Sequence, residues 1–166
     1  MAASKGADKT IPSVVTLVLA AALVTTSVEQ TQAQILSEKD RAGVQAFADR
    51  DSALVMSRNW DGLAAEYAVD AVRMPPNAPG IQGRAAIRRA FEQLPPISRF
   101  SFHLVHLDGD GTTAYLRGTY TVTVTPPGLP KPIMDAGKVL AVFRKQPNGT
   151  WLCVAEAWNS DLPPSQ

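Results

Sequence analysis

Apolar residues recur at Val44, Phe47, Ala48, Leu54 and Val55, a helical spacing broken once around Asp49-Arg50-Asp51. Ser37, with Asp40 three residues on, predicts where that helix starts. Arg58-Asn59 predicts its end, and Asn59 then caps a shorter helix over residues 60–68. Residues 69–74 fit a strand, stopped by Pro75-Pro76 because proline cannot donate to a sheet ladder. A turn-rich loop, Asn77-Ala78-Pro79-Gly80, leads to a third helix over 84–94, closed by Pro95-Pro96. From residue 100 onward the chain turns to β-branched and aromatic runs, predicting strands over 100–107, 113–125, 134–145 and 151–159. Thr119-Tyr120-Thr121-Val122-Thr123-Val124 alternates polar with apolar, as a sheet covered on one face requires. Pro147-Asn148-Gly149 is a hairpin turn, because Asn-Gly tolerates positive φ. The order predicts an α+β domain, with three N-terminal helices on one face of a curved antiparallel sheet. Residues 60–94 wrap one end of that sheet and leave a cavity where strand and loop meet.

The N-terminus has a different pattern. Lys5 and Lys9 precede an apolar run over residues 14–24, and Thr31-Gln32-Ala33 places small residues where a signal peptidase cuts. We therefore expect residues 1–33 to be a secretory signal and residues 34–166 the mature domain, periplasmic or secreted after cleavage near Ala33. The alternative is a retained membrane anchor. A spanning helix needs about 20 predominantly apolar residues, and this run is flanked by Pro12 and Thr25-Thr26-Ser27. No stable membrane insertion is expected after cleavage. The formal net charge is +1, and removing Lys5, Lys9, Asp8 and Glu29 leaves it unchanged, so nothing points to nucleic acid or an anionic membrane. Cys153 is the only cysteine. It excludes an internal disulfide and reads as a small buried hydrophobe.

The segments EYAVDAVRMPPNAPGIQGRAAI, AYLRGTYTVTV, DAGKVLAVFRKQPNGTW and AEAWNSDLP, in this order, resemble the SnoaL-like and ketosteroid-isomerase-like families of the nuclear transport factor two-like superfamily. The resemblance spans residues 37–163. It implies a cone-shaped α+β domain enclosing a pocket, often a homodimer packed sheet against sheet. The isomerase members keep a general-base aspartate before the proline ending the first strand, and that position falls on Pro75. Their oxyanion hole uses a helix tyrosine and a protonated aspartic acid; these positions fall on Ser52 and Ala141. Proline and alanine cannot act as base or acid, so steroid-type proton abstraction is not expected. Tyr67, before the first strand, and Trp158, in the last, do match the pocket residues of those relatives, with plain core aromatics as the alternative for both.

Other candidates are weighed from their positions. His103 and His106, three apart on a strand, point to opposite faces unless a bulge intervenes, so no metal site is expected. Asp108-Gly109-Asp110-Gly111 starts like a calcium loop, but its twelfth position is Thr119 rather than glutamate. Glu156 shares a strand face with Trp158, where it could serve as acid or base; a salt bridge to Lys138 or Arg117 is the plainer expectation. Arg73 either holds an anionic group in the cavity or reaches solvent from an edge strand.

Three functions follow as expectations. The first is a pocket among Tyr67, Met74, Ala141, Glu156 and Trp158 that binds a small apolar or aromatic molecule. The second is a cofactor-independent isomerase, dehydratase or polyketide-cyclase-type enzyme using Glu156 or Asp135 as acid/base. The third is an assembly domain with a filled cavity. None calls for a metal or an organic cofactor.

Overall fold

The computed structural model describes residues 35–163. The expected signal segment and its cleavage site lie outside the described residues. Helix α1 (Glu38–Met56) opens at Ser37, whose hydroxyl accepts from the Asp40 backbone N–H at 3.1 Å. Helix α2 (Trp60–Ala65) is capped by Asn59, which accepts from Gly62 N–H at 2.9 Å. Strand β1 (Tyr67–Met74) and a two-residue strand β2 (Ile81–Gln82) come next, before helix α3 (Arg84–Glu92). Four long strands complete the chain: β3 (Ile97–Gly109), β4 (Thr113–Val124), β5 (Ile133–Lys145) and β6 (Trp151–Ser160).

The class is α+β, as the pattern predicts, with two differences in arrangement. The helices are unequal, since α2 is short and ends at Ala65, and a two-residue strand β2 forms just before α3. The sheet, curved and unclosed, runs β2-β1-β6-β5-β4-β3, and its β1–β6 pairing is parallel, so it is mixed rather than wholly antiparallel. Strand β1 also starts two residues earlier than the apolar pattern suggests, which puts Tyr67 inside the sheet.

Alternation places the core. Along β4, Ala114, Leu116, Gly118 and Tyr120 turn inward while Thr113, Tyr115, Arg117 and Thr119 turn out. Val44, Phe47 and Val55 of α1 meet Leu116, Ala141, Phe143 and Cys153 of the sheet in one cluster, which Ile87 and Phe91 of α3 extend. Each large apolar side chain so buried contributes roughly 2 kcal/mol.

A bulge in β3 corrects the expectation for the two histidines. His103 pairs with Thr119 and His106 with Arg117, with Val105 inserted between. Thr119 and Arg117 share the outer face, so both histidines do too. His106 approaches the Tyr115 hydroxyl at 3.3 Å. Among the described residues no group of three or more His, Cys, Asp or Glu could hold an ion.

Candidate functional site

Between α1, α3 and the concave face of the sheet lies a cavity of about 280 Å³. Phe47, Asp51 and Val55 form its helical wall, spaced i, i+4, i+8 on α1. The sheet supplies Phe100 and Phe102 from β3, Tyr120, Val122 and Val124 from β4, and Val139 from β5. Gly137 makes room for one of these. A Cβ there would stand 2.8 Å from the Tyr120 ring and hydroxyl, so only glycine lets that side chain lie across the strand toward Asp135.

Polar groups enter this lining at three places. At the first, Glu156 on β6 accepts from the Tyr67 hydroxyl and from Arg73 Nε, the latter at 3.3 Å. The Arg73 guanidinium lies between two rings, 4.2 Å from the Trp158 centroid and 4.6 Å from that of Phe91. Burial and the Glu156 charge push the Tyr67 hydroxyl well above its ordinary pKa, so it stays a donor. At the second, Asp135 accepts from the Tyr120 hydroxyl at 2.8 Å and from the Ser160 hydroxyl. Burial, followed by that bond, pushes the Tyr120 hydroxyl well above its ordinary pKa, a direction that also keeps it protonated.

The third place is Asp51. The polar triplet that interrupts the helical pattern divides by direction. Asp49 takes a hydrogen bond from Gln45 at 3.0 Å, and Arg50 forms a two-pronged bond with Glu66 at 2.9 and 2.8 Å. Asp51 alone turns into the cavity, one turn from Phe47 and one from Val55. Among the described residues its carboxyl has no hydrogen-bond partner. Burial and then the Glu156 charge raise its pKa to about 7, opposed by the Arg73 charge.

Residues 41–152 match the family model described as a SnoaL-like domain. The chain belongs to the SnoaL-like domain family. No curated protein matches it in sequence. Solved structures share the fold at low identity. A ketosteroid isomerase-like protein from Erwinia carotovora superposes with a TM-score of 0.68 at 17% identity, over 76% of this chain and 100% of its own. A nuclear transport factor two-like protein with a cystatin-like fold, from Novosphingobium aromaticivorans, gives 0.60 at 19%, over 76% and 84%. A Catenulispora acidiphila protein in complex with S-DNPA gives 0.59 at 18%, over 75% and 96%.

Within this SnoaL-like domain the residues singled out from sequence separate clearly. Tyr67, Glu156, Trp158 and Asp135 line the cavity, and so does Arg73. Met74 does not line it: with Arg73 turned inward, strand alternation sends Met74 to the other face, where it is 41% exposed. Ala141 sits opposite Glu156 in the sheet but is wholly covered by core, and it too is absent from the lining. Glu156 pairs with Arg73 rather than Lys138 or Arg117, and Lys138 instead meets Asp161. Ser52 and Pro75 are not lining residues either; the Ser52 hydroxyl accepts from the Phe102 backbone N–H at 3.0 Å. Cys153 is buried, and that burial pushes its thiol far above the ordinary range.

Asp51 was missed by reading along the sequence, because a triplet of charges resembles a solvated break. The signal was available in the period. Residue 51 is four from Phe47 and four from Val55, so an acid there occupies an inward position.

Proposed function

We propose that this SnoaL-like domain is exported and binds a small, mostly apolar organic molecule in its cavity. The observation that carries the reading is the composition of the cavity lining. Aromatic and aliphatic side chains make up most of it, and Glu156, Arg73 and Tyr67 form a fixed polar group at one side. A protein of similar fold being held in complex with S-DNPA agrees with such a use. Native mass spectrometry of the purified mature protein tests it. The expected result is an adduct that disappears in Val139→Phe, which fills the space; an adduct unaffected by that substitution would remove the reading. Copies are expected to pair through the outer sheet face, where Val105, Tyr115 and Leu140 are exposed, giving a dimer on gel filtration.

A second reading is a cofactor-independent enzyme of the isomerase, dehydratase or polyketide-cyclase type, with Glu156 or Asp135 as acid/base. It is favoured by the presence of both carboxyls in the lining. Against it, each already accepts two hydrogen bonds from neighbouring side chains. It requires Glu156→Gln or Asp135→Asn to abolish turnover while the fold is kept.

A further inference from the structure

The charges lining the cavity do not balance. Among the described lining residues, three carboxyls, from Asp51, Asp135 and Glu156, share the cavity with a single guanidinium, that of Arg73. Arg73 is already paired with Glu156 at 3.3 Å. Asp135 is held by the hydroxyls of Tyr120 and Ser160, which carry no charge to offset its own. Asp51 is left with neither an ion partner nor a hydrogen bond among the described residues. It lies half-buried in the cavity wall between Phe47 and Val55 on α1, with Phe100, Phe102 and Tyr120 lining the sheet opposite. A half-buried, unpaired carboxyl that feels a second acid and shares its cavity with aromatic rings is what a cation would complete, through charge and through the rings.

We propose that the ligand of this cavity is a small organic cation, an amine on an aromatic or alicyclic body, whose ammonium group is received by Asp51. The inference rests on the pocket reading above and narrows it to a ligand class. An ammonium donates to the unpartnered carboxyl and offsets the Glu156 charge that bears on it. The apolar body then lies among Phe47, Phe100 and Phe102. An anion would instead meet Asp51 and Asp135 with only one cation available, and that one engaged. The titratable and charged groups that line the cavity with Asp51 from other elements are Arg73 and Tyr67 of β1, Tyr120 of β4, Asp135 of β5 and Glu156 of β6, with Glu66 adding a weaker like charge. Of these, only Arg73 opposes an incoming cation. Binding is coupled to loss of the Asp51 proton, so it strengthens as pH rises through the neutral range.

A matched set of probes on one naphthyl body tests the proposal: 2-naphthylethylamine, the corresponding alcohol and naphthylacetate. Each is titrated into the mature protein and followed by amide chemical shifts. At about pH 8 the amine should bind about tenfold or more tightly than the alcohol, with the carboxylate weakest. At about pH 5 that preference should shrink several-fold. In Asp51→Asn it should vanish while the alcohol keeps its affinity, which also shows that the variant is folded with its cavity intact. Alcohol or carboxylate binding as tightly as the amine at about pH 8 overturns the cation assignment and leaves the pocket reading standing. If no probe shifts the cavity resonances, the pocket reading fails and this inference with it.

Discussion

Two aspartates on α1 have opposite surroundings. Asp40, in the first turn, accepts from Ser37 Oγ at 2.7 Å, from Trp151 Nε1 at 3.0 Å and from Lys145 Nζ at 2.6 Å. Those bonds, Lys145 first, hold its pKa down to about 2. Asp51, three turns on, has no such partner among the described residues, and burial together with Glu156 raises it to about 7. Residue type, helix and core are the same; donor supply differs. The helix N-terminus also favours a negative charge at Asp40 and has no influence at Asp51, since it acts only within the first turn. The lesson is that a satisfied carboxylate fastens a helix to a sheet. An unsatisfied one beside a cavity is kept at a cost to stability, which points to a use for it.

The sharpest way to break the cavity end of this comparison is Arg73→Met. It empties the place between Phe91 and Trp158 and leaves Glu156 buried without its ion partner. Removing one member of a buried pair costs about 3–5 kcal/mol. Denaturant unfolding near neutral pH should show that loss. Since the Arg73 charge also holds Asp51 down, the carboxyl of Asp51 should titrate still higher in the variant. A loss below about 1 kcal/mol would mean that the pair is effectively solvated.

Much of the fold could be read in the chain, and the reasons separate what was legible from what was not. The spacing of Val44, Phe47 and Val55 is a local property and locates α1. The alternation through Tyr120, Val122 and Val124 locates the inner face of β4 for the same reason. The parallel β1–β6 pairing is not local: nothing in residues 67–74 names a partner some eighty residues away. The candidate site divides likewise. Tyr67 and Trp158 were reachable through family resemblance, whereas the assignment of Met74 failed on the parity of one residue. The Arg73–Glu156 pair depends on the unpredicted strand pairing, where the two residues stand in register. Asp51 required no knowledge of the sheet, only the helical period carried through a charged triplet.

The next effect is the dependence of stability on pH. The Asp51 carboxyl has a folded-state pKa of about 7 against an ordinary value of 3.8. Below the ordinary value it is protonated in both states and adds no penalty. As pH rises from there toward 7 the unfolded chain ionises first, so folding loses free energy across that window. Asp51→Asn has no such penalty. The variant should therefore gain stability over the wild type between about pH 4 and pH 8, on the order of 2–4 kcal/mol. Parallel profiles for the two proteins across that range would show that Asp51 is as well solvated as a surface acid.

The smallest effect lies at the other end of α1, and it tests whether donor supply is what separates the two aspartates. Lys145→Met removes the largest cause of the lowered Asp40 pKa, and Trp151→Phe removes a lesser one. Both should move Asp40 up from about 2 toward its ordinary 3.8, Lys145→Met further than Trp151→Phe. A carboxyl with a lowered folded-state pKa stabilises the fold above its unfolded value and loses that contribution as pH falls through the folded one. In both variants the acid-side loss of stability tied to Asp40 should accordingly shrink, because the folded and unfolded values draw together. Carboxyl carbon shifts followed from neutral pH into acid read the pKa directly. If Trp151→Phe moved Asp40 more than Lys145→Met, the indole N–H rather than the ammonium would be the main donor. The contrast between Asp40 and Asp51 would then rest on a neutral hydrogen bond instead of an ion pair.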